Sequence, residues 1–388
     1  MTRQLLLADA LFDGTRVLSP ARVLIEAGRI VDTAWVGDPP PGTAEVDLRG
    51  TTLIPGLRDA HVHLALAGGM FPPEGPGEIR RVALANLAVA AGSGVTLVRD
   101  CGSPGLEILR LRDEGAEGLP RIEAAGPALT TPGGHAVSLG REASGPAGLR
   151  RAVAEVAAAG ADFVKLVGSG GGTPGTDPER PAFSADELRA ATSAATAYGL
   201  DITMHALNGH ALRRGLEAGV RDFQHGWFEP GDSAFAGLPD RLAEAGAVVC
   251  PTVWAIAHRI PILRRRIAEW PDDAAARAEL DGVQRLTERV QRCVRLLHGA
   301  GVRIVAGTDA GWREVGFGEV AEEVMLLAEC GLSAQEALGC ATGTVKPGEP
   351  ADLVAVDGDP LRDLGALRRV HSVVRAGTRA ELGVERKP

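Results

Sequence analysis

Residues 52–63 read Thr-Leu-Ile-Pro-Gly-Leu-Arg-Asp-Ala-His-Val-His, an apolar strand that ends in two histidines. Side chains two apart on a strand share a face, so His61 and His63 project together from its end. Outward from this stretch, apolar strand-like runs alternate with Ala/Leu/Glu/Arg-rich runs of helical period. The strand candidates are 52–55 extending towards His63, 95–101, 121–128, 163–169, 201–206, 222–226, 248–253 and 303–309. Helical runs follow most of them, at 79–91, 148–159, 185–197, 211–218 and 315–330. The longer run 255–300 reads as two helices, because Pro261 and Pro271 interrupt it. Strand alternating with helix implies parallel βαβ units, and eight of them predict an α/β fold of the (β/α)8, TIM-barrel type.

The two ends of the chain read differently. Short alternating segments at 4–7, 22–26, 29–35 and 43–47, then at 352–356 and 371–375, are separated by Gly and Pro turns. Chain termini often lie close together. We therefore expect 1–54 and 346–388 to form one small composite β-sandwich domain, with 55–345 as the barrel.

Composition narrows the function. The chain has 388 residues, is 45% hydrophobic and 23% charged, and carries a formal net charge of −9, so neither disorder nor a nucleic-acid-binding surface is expected. The densest basic run, Arg264, Arg265 and Arg266, lies beside Glu269, Asp272 and Asp273 and reads as a solvated helix face. The five cysteines are odd in number and none sits at Cys-x-x-Cys spacing, which points to reduced thiols. The start of the chain is too short in apolar residues for a signal peptide, and no stretch of ~20 apolar residues would span a membrane. A soluble, cytoplasmic protein is expected.

A barrel carries its chemistry where strands end, on the C-terminal face. Ligand-type residues recur there. Besides His61 and His63, the fifth candidate strand ends in Thr-Met-His205-Ala, the sixth in Phe-Gln-His225-Gly and the eighth in Gly-Thr-Asp309-Ala. The fourth carries Lys165, one of three lysines among 41 basic residues, in an apolar run. An unpaired ammonium is costly to bury. Lys165 therefore either meets a carboxylate such as Asp162 or loses its charge, and a neutral lysine can add carbon dioxide to become a carbamate ligand. Weaker candidates are Trp227 at the pocket wall, Arg99 and Asp100 behind the site, and the glycine-rich 169–175 as a flexible rim loop. His258 reads as a surface residue, while His210, His298 and His371 receive no metal role.

These motifs resemble the metal-dependent amidohydrolase superfamily. The resemblance is carried by LIPGLRDAHVH (53–63), the strand-four lysine, the two isolated strand-end histidines, GTDAG (307–311) and PGEPADLVAVDGDPL (347–361). It implies two divalent ions, with zinc the first choice. His61, His63 and Asp309 would hold one ion, His205 and His225 the other, and carboxylated Lys165 with a hydroxide would bridge them. TTPGGHAV (130–137) and KLVGSGGG (165–172) resemble the imidazolonepropionase-related branch with Xaa-Pro and Xaa-Arg dipeptidases. There His135 would polarise the substrate carbonyl, and Asp309 would act as general base and acid. The implied activity is hydrolysis of an amide C–N bond in a small molecule, as a dipeptidase or N-acyl amino acid hydrolase, in a homo-oligomer. The alternatives are a cyclic amide, urea, carbamate or aromatic amide substrate on the same metal site, or a non-catalytic scaffold. The link between Thr342 and Pro347 is about a dozen residues shorter than the family pattern.

Overall fold

The structure, a computed structural model, describes residues 2–380; the remainder of the expected C-terminal flank, 381–388 with Lys387, lies outside the described residues. We number the barrel strands alone. They are β1 (Leu57–Val62), β2 (Val95–Asp100), β3 (Arg121–Ala124), β4 (Phe163–Val167), β5 (Asp201–Ala206), β6 (Asp222–His225), β7 (Val248–Cys250) and β8 (Arg303–Ile304). The ladders from β1 through β2 to β3, and from β4 through β5, β6 and β7 to β8, are all parallel. The ring closes where the chain beyond β8 meets β1: Asp309 N–H donates to His61 O at 2.8 Å and His63 N–H to Ala310 O at 2.8 Å.

Parallel strands covered by helices are buried on both faces, so they lose the alternation of an exposed sheet. All five residues of β4 are buried, Lys165 included. Outward-facing Met204 and Phe223 pack under the helix Gly209–Glu217. A Cβ on Gly215 would stand 2.3 Å from Met204 Cε, so only glycine lets this helix approach so closely. Burying such a Phe or Met side chain is worth roughly 1.5–3 kcal/mol. Packing of this kind, repeated round the ring, holds the strand ends in place.

Three expectations are refined. Residues 52–55 belong to the strand Thr43–Pro55 of the terminal sheet, paired with Leu353–Asp357, and the barrel begins only after Gly56. The third strand is broken: β3 stops at Ala124, Gly126 takes φ +64° before Pro127, and Ala128–Thr130 resumes beside β4. Proline has no N–H to donate to a ladder, which explains the gap. The run 255–300 holds three helices, Trp254–Ala257, Arg259–Glu269 and Ala274–Gly299. Pro261 sits in the first turn of the second helix, where no intrahelical donor is lost, and only Pro271 falls in a break.

The terminal segments build one eight-stranded sheet. Arg3–Phe12 lies parallel to Thr43–Pro55 and antiparallel to Ala21–Glu26, and Val370–Arg375 extends the far side. The edge strand Arg29–Asp32 and the turn before it meet the loop that precedes Leu353–Asp357, since Ile30 N–H donates to Glu349 O and Ala351 N–H to Gly28 O, each at 2.9 Å. The sheet thus wraps its own core of Leu6, Val23, Ile25, Leu53, Leu353 and Val374, forming the small β unit expected from both termini. The short link after Thr342 leads straight into it, where Val345 N–H donates to Asp13 O at 2.9 Å.

Candidate metal centre

Five histidines, Lys165 and Asp309 converge at the C-terminal mouth of the barrel, on a cavity of about 390 Å³. His61, His225, His205 and His135 form a chain of imidazoles, with successive ring centroids 5.2, 4.6 and 4.7 Å apart, and His63 lies 5.2 Å from His61. Asp309 Oδ1 is 3.4 Å from His61 Nε2 and 3.3 Å from His63 Nε2. The ligand atoms of His61, His63 and Asp309 lie within 4.8 Å of one another, close enough to grip one cation.

Backbone geometry aims these groups. His225 ends β6 at φ +68° and Asp309 sits at φ +62°, a left-handed region that L-residues visit at a cost. The surroundings impose it. Asp59, two residues before His61 on the same face, accepts from Thr308 Oγ1 at 2.6 Å and Thr308 N at 2.9 Å, which pins the turn that presents Asp309.

Hydrogen bonds decide which nitrogen each ring keeps bare. The carbonyl of Gly102 can only accept, so His63 Nδ1 donates to it at 3.0 Å and Nε2 keeps its lone pair facing Asp309. By the same reasoning His205 donates from Nε2 to Gly170 O at 3.1 Å, leaving Nδ1 bare. His225 Nδ1 lies 2.7 Å from Thr252 Oγ1, so a donated Nδ1 proton leaves Nε2 bare. His135 is the reverse case. The backbone N–H of Thr173 can only donate, and it reaches Nδ1 at 3.3 Å, so the neutral ring carries its proton on Nε2.

Burial is the main force on these rings, and it penalises the charged form. His61 and His205 are pushed well below the usual imidazole range, His225 to about 3 and His135 to about 4. Neutral imidazole is the form that ligates a metal. For Asp309, burial alone would raise the pKa, but the neighbouring His63 and His225 rings and Lys165 outweigh it and hold the carboxyl below its ordinary value. Lys165 is buried, with Nζ 3.5 Å from His61 Nε2. Asp162, its alternative partner, is engaged elsewhere, accepting from Arg112 at 2.7 Å and from Ala124 N at 2.8 Å. A donor set of bare imidazole nitrogens, a carboxylate and an unpaired buried lysine fits divalent cations.

Other candidates move. Arg99 is not behind the site: it points to the barrel floor and pairs with Asp222 at 2.6 Å. Asp100 does brace the mouth, accepting from Leu64 N and Ser103 Oγ. Trp227 lines the cavity, and so does His258, which is buried rather than on the surface. The glycine-rich rim loop is pinned rather than loose: Thr176 Oγ1 donates to Thr173 O at 2.8 Å, and a Cβ on Gly171 would meet His135 Nε2 at 2.5 Å.

Glu323 was not anticipated. Its buried carboxyl group accepts from Val253 N at 3.1 Å and Trp254 N at 2.7 Å, and so holds the turn that offers Thr252 to His225. Its signal lay in the helix Val320–Glu329, where it interrupts the apolar stripe of Val320, Val324 and Leu327.

A barrel with histidines, a lysine and an aspartate at its strand ends defines a metal-dependent hydrolase class. The chain belongs to the amidohydrolase family, whose model matches residues 52–380 and whose members typically bind divalent metals. It is 33% identical over 365 residues to a Mycobacterium tuberculosis protein described only as uncharacterized, covering 90% of each chain. It is 30% identical over 229 residues to the imidazolonepropionase of Salinispora arenicola, covering 53% of this chain and 56% of that one. Among solved structures, a Xaa-Pro dipeptidase with methionine bound in its active site superposes with a TM-score of 0.83 at 27% identity, over 98% of this chain and 100% of that one.

Proposed function

We propose that the protein hydrolyses amide C–N bonds of small substrates, as a dipeptidase or N-acyl amino acid hydrolase. The observation that carries this reading is the pairing of an ionised, buried Asp309 with a neutral His135 whose only proton faces the cavity. The similarity to a Xaa-Pro dipeptidase supports it.

His61, His63 and Asp309 would hold one divalent cation and His205 and His225 a second, with Lys165 as a carbamate between them. Zinc suits so imidazole-rich a set. Such ions supply Lewis acidity, polarising a carbonyl and lowering the pKa of water towards neutrality. The chain's own groups do the rest. His135 Nε2–H donates to the scissile carbonyl oxygen and stabilises the charge that develops there. Asp309 takes the proton of the attacking water and returns it to the departing amine. Trp227 and Trp312 wall the reacting bond off from bulk water.

The test is a dipeptide and N-acyl amino acid library offered to metal-reconstituted enzyme, beside Asp309→Asn. We expect turnover by the wild type and a loss of about 10³-fold or more in the variant, by analogy with other proton-transfer groups. Near-normal activity of Asp309→Asn at unchanged metal content would sink the scheme. Bicarbonate-dependent metal uptake, lost in Lys165→Met, tests the carbamate separately.

A further inference from the structure

Three arginines line the cavity, and they are not equivalent. Arg259 is held by Glu279 and by Glu314, the latter at 2.8 Å. Arg289 lies 3.5 Å from Glu229 and 3.8 Å from Glu179. Arg313 has no carboxylate partner among the described residues. It is nonetheless carefully placed. The turn after Asp309 brings Trp312 edge-on to His135, with centroids 5.3 Å apart, and then puts Arg313 at φ +46° and Glu314 at φ +74°. Their amides are pinned, Arg313 N–H to Gly69 O at 3.2 Å and Glu314 N–H to Gly68 O at 2.9 Å.

The guanidinium then lies over the glycine-rich rim. A Cβ on Gly172 would meet Arg313 Nη1 at 3.2 Å, and one on the preceding Gly171 would meet His135 Nε2 at 2.5 Å. Consecutive Cα atoms are only ~3.8 Å apart. The imidazole that faces the scissile carbonyl and the unpaired guanidinium therefore flank one backbone step, and His135 feels the charge of Arg313. Glycine at both positions keeps that space open.

We propose that Arg313 is an anion anchor that binds a carboxylate attached close to the scissile amide, as in an N-acyl α-amino acid or a dipeptide with a free C-terminus. This rests on the amide-hydrolase reading and narrows its substrates to anionic ones. In an N-acyl α-amino acid the carboxyl carbon is two bonds from the amide nitrogen, which suits two recognition groups so near each other. Guanidinium is the group that reads a planar carboxylate through paired N–H bonds. The apolar wall of Ile256, Val283 and Leu286 leaves room for an aliphatic side chain.

The experiment compares N-acetyl-L-leucine with its neutral analogue N-acetyl-L-leucinamide, which has the same scissile bond. Wild type, Arg313→Gln and Arg313→Lys are assayed at equal metal content. In Arg313→Gln we expect kcat/KM for the acid to fall about 10- to 100-fold, the range of a charge-assisted hydrogen bond, chiefly through KM. The neutral amide should be unaffected, and Arg313→Lys should recover part of the loss. A second readout needs no turnover: quenching of tryptophan fluorescence by each compound, with Trp312 and Trp227 as reporters in the wall. Preferential binding of the acid by wild type, lost in Arg313→Gln, supports the anchor even if neither compound is hydrolysed, in which case the amide-hydrolase reading fails alone. Hydrolysis with no preference for the acid leaves that reading standing and overturns the anchor. So does equal binding of acid and amide, binding of neither, or a preference unchanged in Arg313→Gln.

Discussion

At the floor of the barrel Arg99 donates to Asp222 at 2.6 Å, and its guanidinium lies 3.9 Å over the Phe163 ring. At the mouth, Lys165 is buried with an imidazole nitrogen as its neighbour, and the carboxylate of Asp309 faces two more imidazoles. Both layers are polar and both open onto a cavity, the one at the floor being the larger at about 700 Å³ against about 390 Å³. The difference is whether the groups satisfy one another. At the floor the central opposite charges, Arg99 and Asp222, pair with each other. At the mouth, like donors crowd together and keep bare lone pairs and an inward N–H. Backbone strain follows the same division: His225, Thr252, Asp309, Arg313 and Glu314 take positive φ around the mouth. Strain of this kind persists only where surrounding structure over-determines it, and it clusters at functional sites. Cavity size alone would have pointed to the wrong end of the barrel.

The largest expected effect separates chemistry from binding within the mouth. His135 is held by Thr173 and lies at the end of the imidazole chain. In His135→Ala we expect kcat to fall about 10²–10³-fold, as for loss of one oxyanion donor. Metal content, measured by mass spectrometry, should stay at the wild-type value. Loss of metal together with activity would move His135 into the ligand set and redraw the boundary of the site.

The convergence at the mouth was legible from sequence because two rules act together there. Strand alternation puts His61 and His63 on one face, and parallel strands of a closed barrel all end at one rim. The same rules could not assign Arg99, because residues two apart share a face but not a layer: Cys101 lines the mouth while Arg99 lies a step deeper. Nor could an apolar run show which sheet would claim 52–55, since both candidate sheets bury such a strand on two faces. Contacts made across the fold were hidden altogether. Thr252 and Glu323 act on His225 through a turn whose partner is 70 residues further along. Burial of His258 depends on helices packing over it, which no local pattern records.

A second test addresses the floor. Arg99→Leu leaves Asp222 without its main partner in a largely buried setting, and we expect a loss of about 3 kcal/mol in stability by urea unfolding. The double variant Arg99→Leu/Asp222→Leu should recover most of it, because the uncompensated charge is removed. For both, kcat/KM of the folded enzyme should match wild type. A drop in kcat/KM without a change in stability would mean that the floor communicates with the mouth and that the two layers are not independent.

The smallest effect sharpens the account of the mouth as a place where polar groups are desolvated without ionic partners. Burial raises Glu323 from an ordinary 4.5 to about 8, despite hydrogen bonds from Trp254 and Val253 that lower it. The folded state therefore holds a proton between those values that the unfolded chain has released. Stability from this group is complete below 4.5 and drains away as pH rises through 8. Glu323→Gln keeps an acceptor for the turn but cannot ionise, so its stability should decline less steeply with pH than that of wild type. At ~1.4 kcal/mol per pKa unit, the difference between the two urea-unfolding curves should open by about 2 kcal/mol from pH 6 to pH 8, in favour of the variant. Curves that stay parallel would mean that Glu323 is already ionised in the folded protein. The mouth would then contain a further buried anion besides Asp309, and its contrast with the Arg99–Asp222 pair at the floor would be weaker than the geometry implies.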